Sequence, residues 1–367
     1  MRLAILGTRG IPARYGGFET LAEELSARLA ARGHEVTVYT RTRYAAPGLS
    51  EHRGARIRVL PTIPSKYFDT VVHGVLSGFD AALERFDAVL VCNAINAASS
   101  FLPRLSARTR VVLNVDGLER NRRKWSAIGR AAYRLSERLA TMIPDAVVSD
   151  ARVIQTYYRE RHGFESVFIP YGGDLPVPAG GEALDRLGLV PERYVLYVSR
   201  LEPENNADAV VAAYRAVPGQ TPLVVVGDAP YAADYIARVR READERVRLP
   251  GAIYGDGYRQ LLANAAVYVQ ATEVGGTHPA LVEALGYGRI VLYNATPENE
   301  EVAGGAGLPF DARSPGGLAA VLRGVLDDPS AHSVWKERAR QRVQERYRWE
   351  DVADRYEAVL EGRNGIP

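Results

Sequence analysis

Short runs of apolar, often β-branched residues alternate with helical stretches from one end of the chain to the other. Strand-helix-strand repeats of this kind build parallel sheets covered by helices, so the expected fold class is α/β, doubly wound. In the first half the strand runs are 3–6, 36–39, 57–60, 88–92, 111–115, 146–149 and 167–169. In the second half they are 195–199, 223–226, 247–249, 267–270 and 290–293. Their apolar continuity predicts burial on both faces. Phe18, Leu21, Leu25 and Leu29 mark a first helix that Gly33 ends, residues 279–286 a later one, and Val352, Tyr356 and Leu360 a final amphipathic helix over 349–360.

The segment 170–181, PYGGDLPVPAGG, concentrates glycine and proline as nowhere else and is read as a linker. It divides the chain into a first domain over 1–172 and a second over 182–348, with a helical segment from 349 to 367 after them. A length of 367 residues agrees with two domains. The net charge of +2 gives no field for holding a polyanion, so nucleic acid is not an expected partner. One cysteine, Cys92, forms no internal disulfide, which fits a reducing, cytoplasmic compartment. No signal-peptide core and no run of about 18 apolar residues is present. Lysine occurs only at Lys66, Lys124 and Lys336, so a cation that grips a phosphate is expected to be arginine.

In open doubly wound sheets, ligands bind at the carboxyl ends of the strands, and chemistry is expected in the loops that follow them. The first such loop, 7–20, reads GTRGIPARYGGFET and opens onto the first helix. Glycine-rich backbone at a helix start presents N–H groups to an anion, although Gly16 and Gly17 also suit a tight turn. The loop is too long for GxGxxG, and the second strand ends Tyr39-Thr40-Arg41 where a ribose-binding acid would stand, which argues against a dinucleotide. Arg200 leaves the strand 195–199, placed either for a diphosphate or for a surface ion pair. The loop after strand 267–270 passes through Gly275, Gly276, Thr277 and His278 into a helix that starts at Pro279. Its N–H groups suit an anion, and Glu283 one turn later suits ribose hydroxyls or a solvated helix face.

These residues resemble the retaining glycosyltransferases of family 4, which have the GT-B fold of two Rossmann-like domains facing across a crevice. More narrowly, the chain resembles the bacterial branch that transfers rhamnose from dTDP-rhamnose to lipid-linked glycans in cell-surface polysaccharide synthesis. The carriers are the loop 7–20, NVDGLE at 114–119, KWS at 124–126, EPENN at 202–206 and GGTHPALVEA at 275–284. The resemblance implies that Gly16 and Gly17 approach the donor diphosphate, that Arg200 neutralises it, and that Glu283 holds the ribose. It further implies that backbone from Gly251 to Tyr254 seats the base, that 1–172 is the acceptor-binding and 182–348 the nucleotide-sugar-binding domain, and that the helix over 349–367 crosses back onto the first. Two departures stand out. Asn205 occupies the place of the family's phosphate lysine, and Gly275 stands where the first of two glutamates is usual, with Glu273 two residues upstream. The donor site is thus assigned to Gly16, Gly17, Arg200, Asn205, Gly251, Tyr254, Glu273 and the run from Gly275 to His278, with Glu283.

The acceptor side is assigned to Arg14, Tyr15, Glu19 and Asp116, together with the basic run Arg120, Arg122, Arg123 and Lys124. Asp116 follows the strand 111–115 and is read as a hydrogen-bond acceptor or general base, with an Asx turn as the plain alternative. The basic run, continued by Arg130, Arg134 and Arg138, suits the pyrophosphate of a lipid-linked acceptor at a membrane surface, or is a solvated face. Tyr67, Phe68 and Phe79 are read as core. The histidines have no ligand spacing, so neither a metal nor a cofactor is expected, only the nucleotide-sugar substrate. A sugar-binding protein without turnover, or a phosphorylase or epimerase on the same fold, are the competing readings. The phosphorylase would need a cofactor-bearing lysine that the second domain offers only at Lys336.

Overall fold

The computed structural model describes every residue except 15, 64, 66, 67, 107, 123, 124, 230, 231, 315 and 364–367, so Tyr15, Tyr67, Arg123 and Lys124 lie outside the described residues. The chain forms two compact units, Met1–Tyr171 with Trp349–Pro367, and Gly172–Arg348. The change of unit falls inside the glycine- and proline-rich segment, yet that segment is no free tether. From Gly172 onward it belongs to the second unit, where the Gly173 N–H donates to the Tyr347 carbonyl (2.8 Å).

In the first unit the strands are β1 Arg2–Leu6, β2 Glu35–Arg41, β3 Glu51–His52, β4 Ala55–Leu60, β5 Ala88–Cys92, β6 Arg110–Asn114, β7 Ala146–Ser149 and β8 Val167–Phe168. They form one sheet in the order β3-β4-β2-β1-β5-β6-β7-β8, parallel except for the β3–β4 hairpin. Its helices are α1 Gly17–Ala31, α2 Phe68–Glu84, α3 Ala127–Ala140 and α4 Arg152–His162, and the last helix of the chain, Trp349–Glu361, also belongs here. Strand β5 is buried along its whole length, as its apolar run predicts. Right-handed crossovers fix the layers. The step from β1 to β2 goes one way along the sheet and those from β4 through β8 go the other, which puts α1 on one face and α2, α3 and α4 on the opposite face.

The second unit has β9 Val195–Val198, β10 Leu223–Val226, β11 Val247–Gly251, β12 Val267–Gln270, β13 Ile290–Asn294 and β14 Leu308–Phe310, all parallel, in the order β11-β10-β9-β12-β13-β14. Strand β14 is absent from the sequence reading because its three residues include Pro309, which only an edge strand tolerates. The helices are α5 Glu182–Arg186, α6 Ala207–Arg215, α7 Ala233–Glu242, α8 Gly255–Asn264, α9 Pro279–Gly286, α10 Pro297–Ala303, α11 Gly317–Asp327 and α12 Val334–Arg346. Its core is built from the faces of β9, β10 and β12 packed on α6, α7 and α11, with Tyr197, Tyr214 and Leu322 fully enclosed.

Helix α13, Trp349–Glu361, lies against α1, and Trp349 is completely buried, with Tyr356 donated to by Asn114 Nδ2 (2.6 Å). Around this apolar seat Arg32 reaches Glu350 (2.8 Å), Asp354 (2.7 Å) and Glu357 (2.8 Å), and Arg28 reaches Glu350 (3.0 Å). Exposed pairs of this kind contribute about 0–1 kcal/mol each, so the apolar seat carries the attachment. Trp349→Ala is expected to lower the stability of the first unit by about 3–5 kcal/mol, read as a lower urea midpoint. On α2, burial together with the nearby Arg41 guanidinium pushes the His73 pKa down to about 4 from 6.5. The folded state therefore resists protonation that the unfolded chain accepts, and stability should fall as pH drops from 6.5 towards 4, by about 3 kcal/mol in full. A His73→Gln variant should show a shallower acid slope in urea titrations repeated across that range.

Candidate active site

All six strands of the second unit end at one edge, and the direction of winding reverses between β9 and β12. This reversal leaves the loops after those two strands side by side, with helix starts turned toward the same opening. The two loops are also tied to each other: the Glu273 N–H donates to the Glu204 carbonyl (2.9 Å), and Asn206 Nδ2 donates to the Ala271 carbonyl (2.8 Å) and to Glu273 (3.3 Å). Asn206 holds the left-handed conformation, φ 59°, which asparagine tolerates. Behind them, buried Gln270 donates to Thr272 Oγ1 (2.5 Å) while Asn299 Nδ2 holds the Thr272 carbonyl (3.1 Å).

Arg200 stands at the exit of β9, half-buried, 3.7 Å from the Glu202 carboxylate. Its carbonyl accepts from Asn205 Nδ2 (2.6 Å), and the Tyr197 hydroxyl donates to the Asn205 carbonyl (2.6 Å). Asn205, assigned to the donor from sequence, is buried and spends its amide on this loop, so its place is behind Arg200. Glu273 is likewise engaged, with Asn206 and with Arg313 (3.5 Å).

Helix α9 starts at Pro279 with His278 as its N-cap, whose side chain makes no capping bond, and Gly276 and Thr277 precede it as buried residues. Gly275 lies against the His278 ring: a Cβ there would sit 2.3 Å from it. A side chain in this place, such as the glutamate usual in the family, would require the His278 ring to move. Glu283 is not on a solvated face. It is buried, and the Tyr258 hydroxyl of α8 donates to its Oε2 (2.5 Å). Burial and this carboxylate push the Tyr258 pKa well up, so the phenol stays a donor. Tyr258 is absent from the sequence reading; it lies only a turn beyond Tyr254, which N-caps α8 and remains exposed. Gly251 closes β11 with φ 84°, and its carbonyl accepts from the Gly227 N–H (3.0 Å). Two more glycines bring the start of this unit onto α9, since a Cβ on Gly286 would sit 2.0 Å from the Gly173 carbonyl.

In the first unit the loop after β1 is held from beneath by acids of α1. Glu19 accepts from the Arg9 N–H (2.8 Å) and Glu23 from the Ala13 N–H (2.5 Å). Glu19, assigned to the acceptor from sequence, is buried and supports the loop instead. Gly7, at φ 91°, passes so close to β5 that a Cβ would meet the Cys92 carbonyl at 2.2 Å. Gly16 is the N-cap of α1 in extended backbone, Gly17 is its first residue, and no side chain caps this end. Arg14 is exposed.

Asp116 follows β6 in the left-handed region, φ 54°, with its N–H held by Asn114 Oδ1 (2.9 Å). Its carboxyl pairs with that of Asp150, which follows the neighbouring strand β7 and is fully buried. Burial raises the Asp116 pKa, and Glu119 adds to the rise, while the hydrogen bond to Asp150 opposes it. Asp150 was not singled out in the sequence; its signal is an acid directly after a strand, one strand over from Asp116. The basic run is largely neutralised: Arg120 binds Glu137 and the Tyr157 hydroxyl (2.9 Å), and Arg122 is buried on Glu119 (2.6 Å). Arg120 and Arg122 thus brace α3 and the turn before it, Arg120 also lines an open pocket beside α3, and Arg123 and Lys124 lie outside the described residues.

A carboxyl whose folded pKa is raised contributes stability at low pH that is lost as pH rises through its titration. Asp116→Asn suits the same left-handed backbone and removes that loss, so its thermal midpoint should exceed the wild type's at pH 7 by more than at pH 4. Differential scanning calorimetry at the two pH values checks this.

Two doubly wound units, one with paired loops and a helix start without a side-chain cap at its switch point, define a class of α/β proteins that take ligands at the strand exits. Residues 16–172 match the glycosyl transferase 4-like domain and residues 192–328 match glycosyl transferases group 1. The chain belongs to these families and is a glycosyltransferase of the GT-B type. Among solved structures it is similar to sucrose-phosphate synthase from Thermosynechococcus elongatus, with TM-score 0.82, 20% identity and 98% of each chain covered. It is also similar to Anabaena HepE in complex with UDP-glucose, with TM-score 0.78, 17% identity, and 98% of this chain and 99% of that one covered. In sequence it is similar to the gpi3 subunit of phosphatidylinositol N-acetylglucosaminyltransferase from Schizosaccharomyces pombe, 28% identical over 174 residues, 46% of this chain. That match spans 38% of the yeast protein's length.

Proposed function

We propose that the chain is a retaining glycosyltransferase that moves L-rhamnose from dTDP-rhamnose onto a lipid-linked glycan in cell-surface polysaccharide synthesis, working at the cytoplasmic side of the membrane. The observation that carries the reading is the pair of tied loops at the switch point, with Arg200 on one, the start of α9 on the other and Glu283 behind it. The diphosphate sits against Arg200 and the N–H groups of Gly276, Thr277 and His278, and no divalent cation is required. Glu283, its Oε2 fixed by the Tyr258 hydroxyl, accepts from the ribose hydroxyls, and the base lies by Gly251 and Tyr254.

The bond between the anomeric carbon and the diphosphate breaks, and its electron pair goes to the departing phosphate oxygen, whose charge Arg200 and the helix start stabilise. The acceptor hydroxyl attacks from the same face and gives its proton to that oxygen. Asp116, with Asp150, accepts a hydrogen bond from a sugar hydroxyl on the acceptor side. Support for this donor comes from Gly275 and Asn205, the two departures that fit the rhamnosyl branch the sequence resembles. A UDP-sugar donor is the second reading, favoured by the HepE complex with UDP-glucose.

Thermal shift across a panel of nucleotide sugars tests the donor. At about 100 times its dissociation constant the true donor stabilises the protein by about 2.7 kcal/mol. The expected outcome is selective stabilisation by dTDP-rhamnose, unchanged by EDTA and lost in Arg200→Ala and in Glu283→Gln. Stabilisation by a UDP- or GDP-sugar overturns the donor, and dependence on added metal overturns the charge assignment. Release of dTDP only when a lipid-linked acceptor is present separates transfer from mere binding.

A further inference from the structure

Helix α2 is packed inside out. Its inward face is made of His73, Gly74, Ser77, Gly78 and Ala81. A Cβ on Gly74 would sit 2.5 Å from Asn96 Oδ1 and one on Gly78 3.1 Å from Leu102, so the helix backbone rests directly on the turns Ala94–Asn96 and Ser99–Leu105. Its large apolar side chains point the other way. Phe68, Val71, Val75, Leu76, Phe79 and Leu83 are all exposed, Leu83 to 82%. Phe68 and Phe79, expected in the core, are therefore on the surface: the helix follows the usual apolar periodicity, but its small residues won the inner side because only they allow so close an approach.

The exposure continues across the layer. Phe101 and Leu105 of the adjoining turn and Ile128, Leu135 and Met142 in and just after α3 are exposed as well. Such contiguous apolar surface is unusual unless something covers it. Its charge says what. The outward side of α3 carries Arg130, Arg134 and Arg138, and its single acid, Glu137, is buried on Arg120. The acids of α2 are also engaged on its inner flank, Asp69 with Arg41, Asp80 with Arg58 and Glu84 with Arg2. Beside α3, Arg134, Arg138 and Arg161 line an open pocket of about 750 Å³ together with Met142. An apolar face edged by arginines, whose one pocket-lining acid, Glu137, is already held by Arg120, matches an anionic lipid interface. A second copy of the chain suits it less, since a two-fold pairing of this patch would set arginine against arginine.

We propose that the first unit docks on an anionic lipid surface through the outward face of α2, the turn Ser99–Leu105 and α3, with lipid phosphates taken up at Arg134, Arg138 and Arg161. Among the described residues no helix is long and apolar enough to cross a membrane, so the contact is one that lies on the bilayer. Right-handed winding puts α2, α3 and α4 on the same face of the sheet, which lets them meet one plane. The inference deepens the reading of a lipid-linked acceptor and rests on it for its biological purpose.

The test is flotation of the full chain with vesicles of phosphatidylcholine alone or mixed with phosphatidylglycerol, a measurement of partition that needs no donor or acceptor. The wild type should float with the anionic vesicles only and detach as salt is raised. The double variant Phe79→Glu/Leu83→Glu should remain in solution. Arg134→Ala/Arg138→Ala should bind about thirtyfold more weakly. All variants should keep the wild-type thermal midpoint and the donor-induced shift, since these side chains are exposed and outside the donor site. Absence of vesicle binding by the wild type overturns the proposal while leaving the donor reading standing. A dimer in light scattering that Phe79→Glu/Leu83→Glu abolishes, without vesicle binding, would assign the face to a second copy instead.

Discussion

Parallel strands joined by right-handed crossovers are the constraint from which the rest follows. Once β1 through β14 are set in two such sheets, every strand exit of a unit lies at the same edge, and residues far apart in sequence become neighbours without further design. Arg200 and Glu273 belong to loops that follow adjacent strands, as do Asp116 and Asp150 in the other unit. What the chain then has to supply is stiffness in those loops, and it does so with buried amides and hydroxyls. Asn205, Asn206, Gln270, Thr272 and Asn299 all bond to the loop backbone or to one another.

Charge is handled in the same spirit. The chain is nearly neutral, yet arginine is abundant, and most of the arginines examined above are committed to a carboxylate or a carbonyl. Against that background the cations that stand clear on α3 and at the end of α4 are exceptional, as is the placing of the Asp116 carboxyl beside the buried Asp150. Burying two acids together costs stability, a cost that proteins carry where a poised proton is useful.

Much of this was legible in the sequence. The strand order of runs, the glycine-rich loops and the family they point to all follow from local pattern, because strand burial and helix starts have local signatures. Three things were not. Tyr258 meets Glu283 across 25 positions, and no local pattern announces such a pair. Glu19 and Asn205 sit in loops after strands whose motifs give no sign of which member turns inward, and both are buried. The facing of α2 was misjudged because periodicity shows that a helix has two unlike sides without showing which is in; close packing at Gly74 and Gly78 decided it.

The first unit takes its final helix from the far end of the chain. During synthesis the strands of its sheet emerge early, but the groove that receives Trp349 and Tyr356 stays uncovered until the whole of the second unit has been made. At about 5–20 residues per second that interval is on the order of ten seconds or more. A nascent chain therefore carries one open apolar groove while its second unit is made, which makes the docking of this helix a late step in completing the first unit.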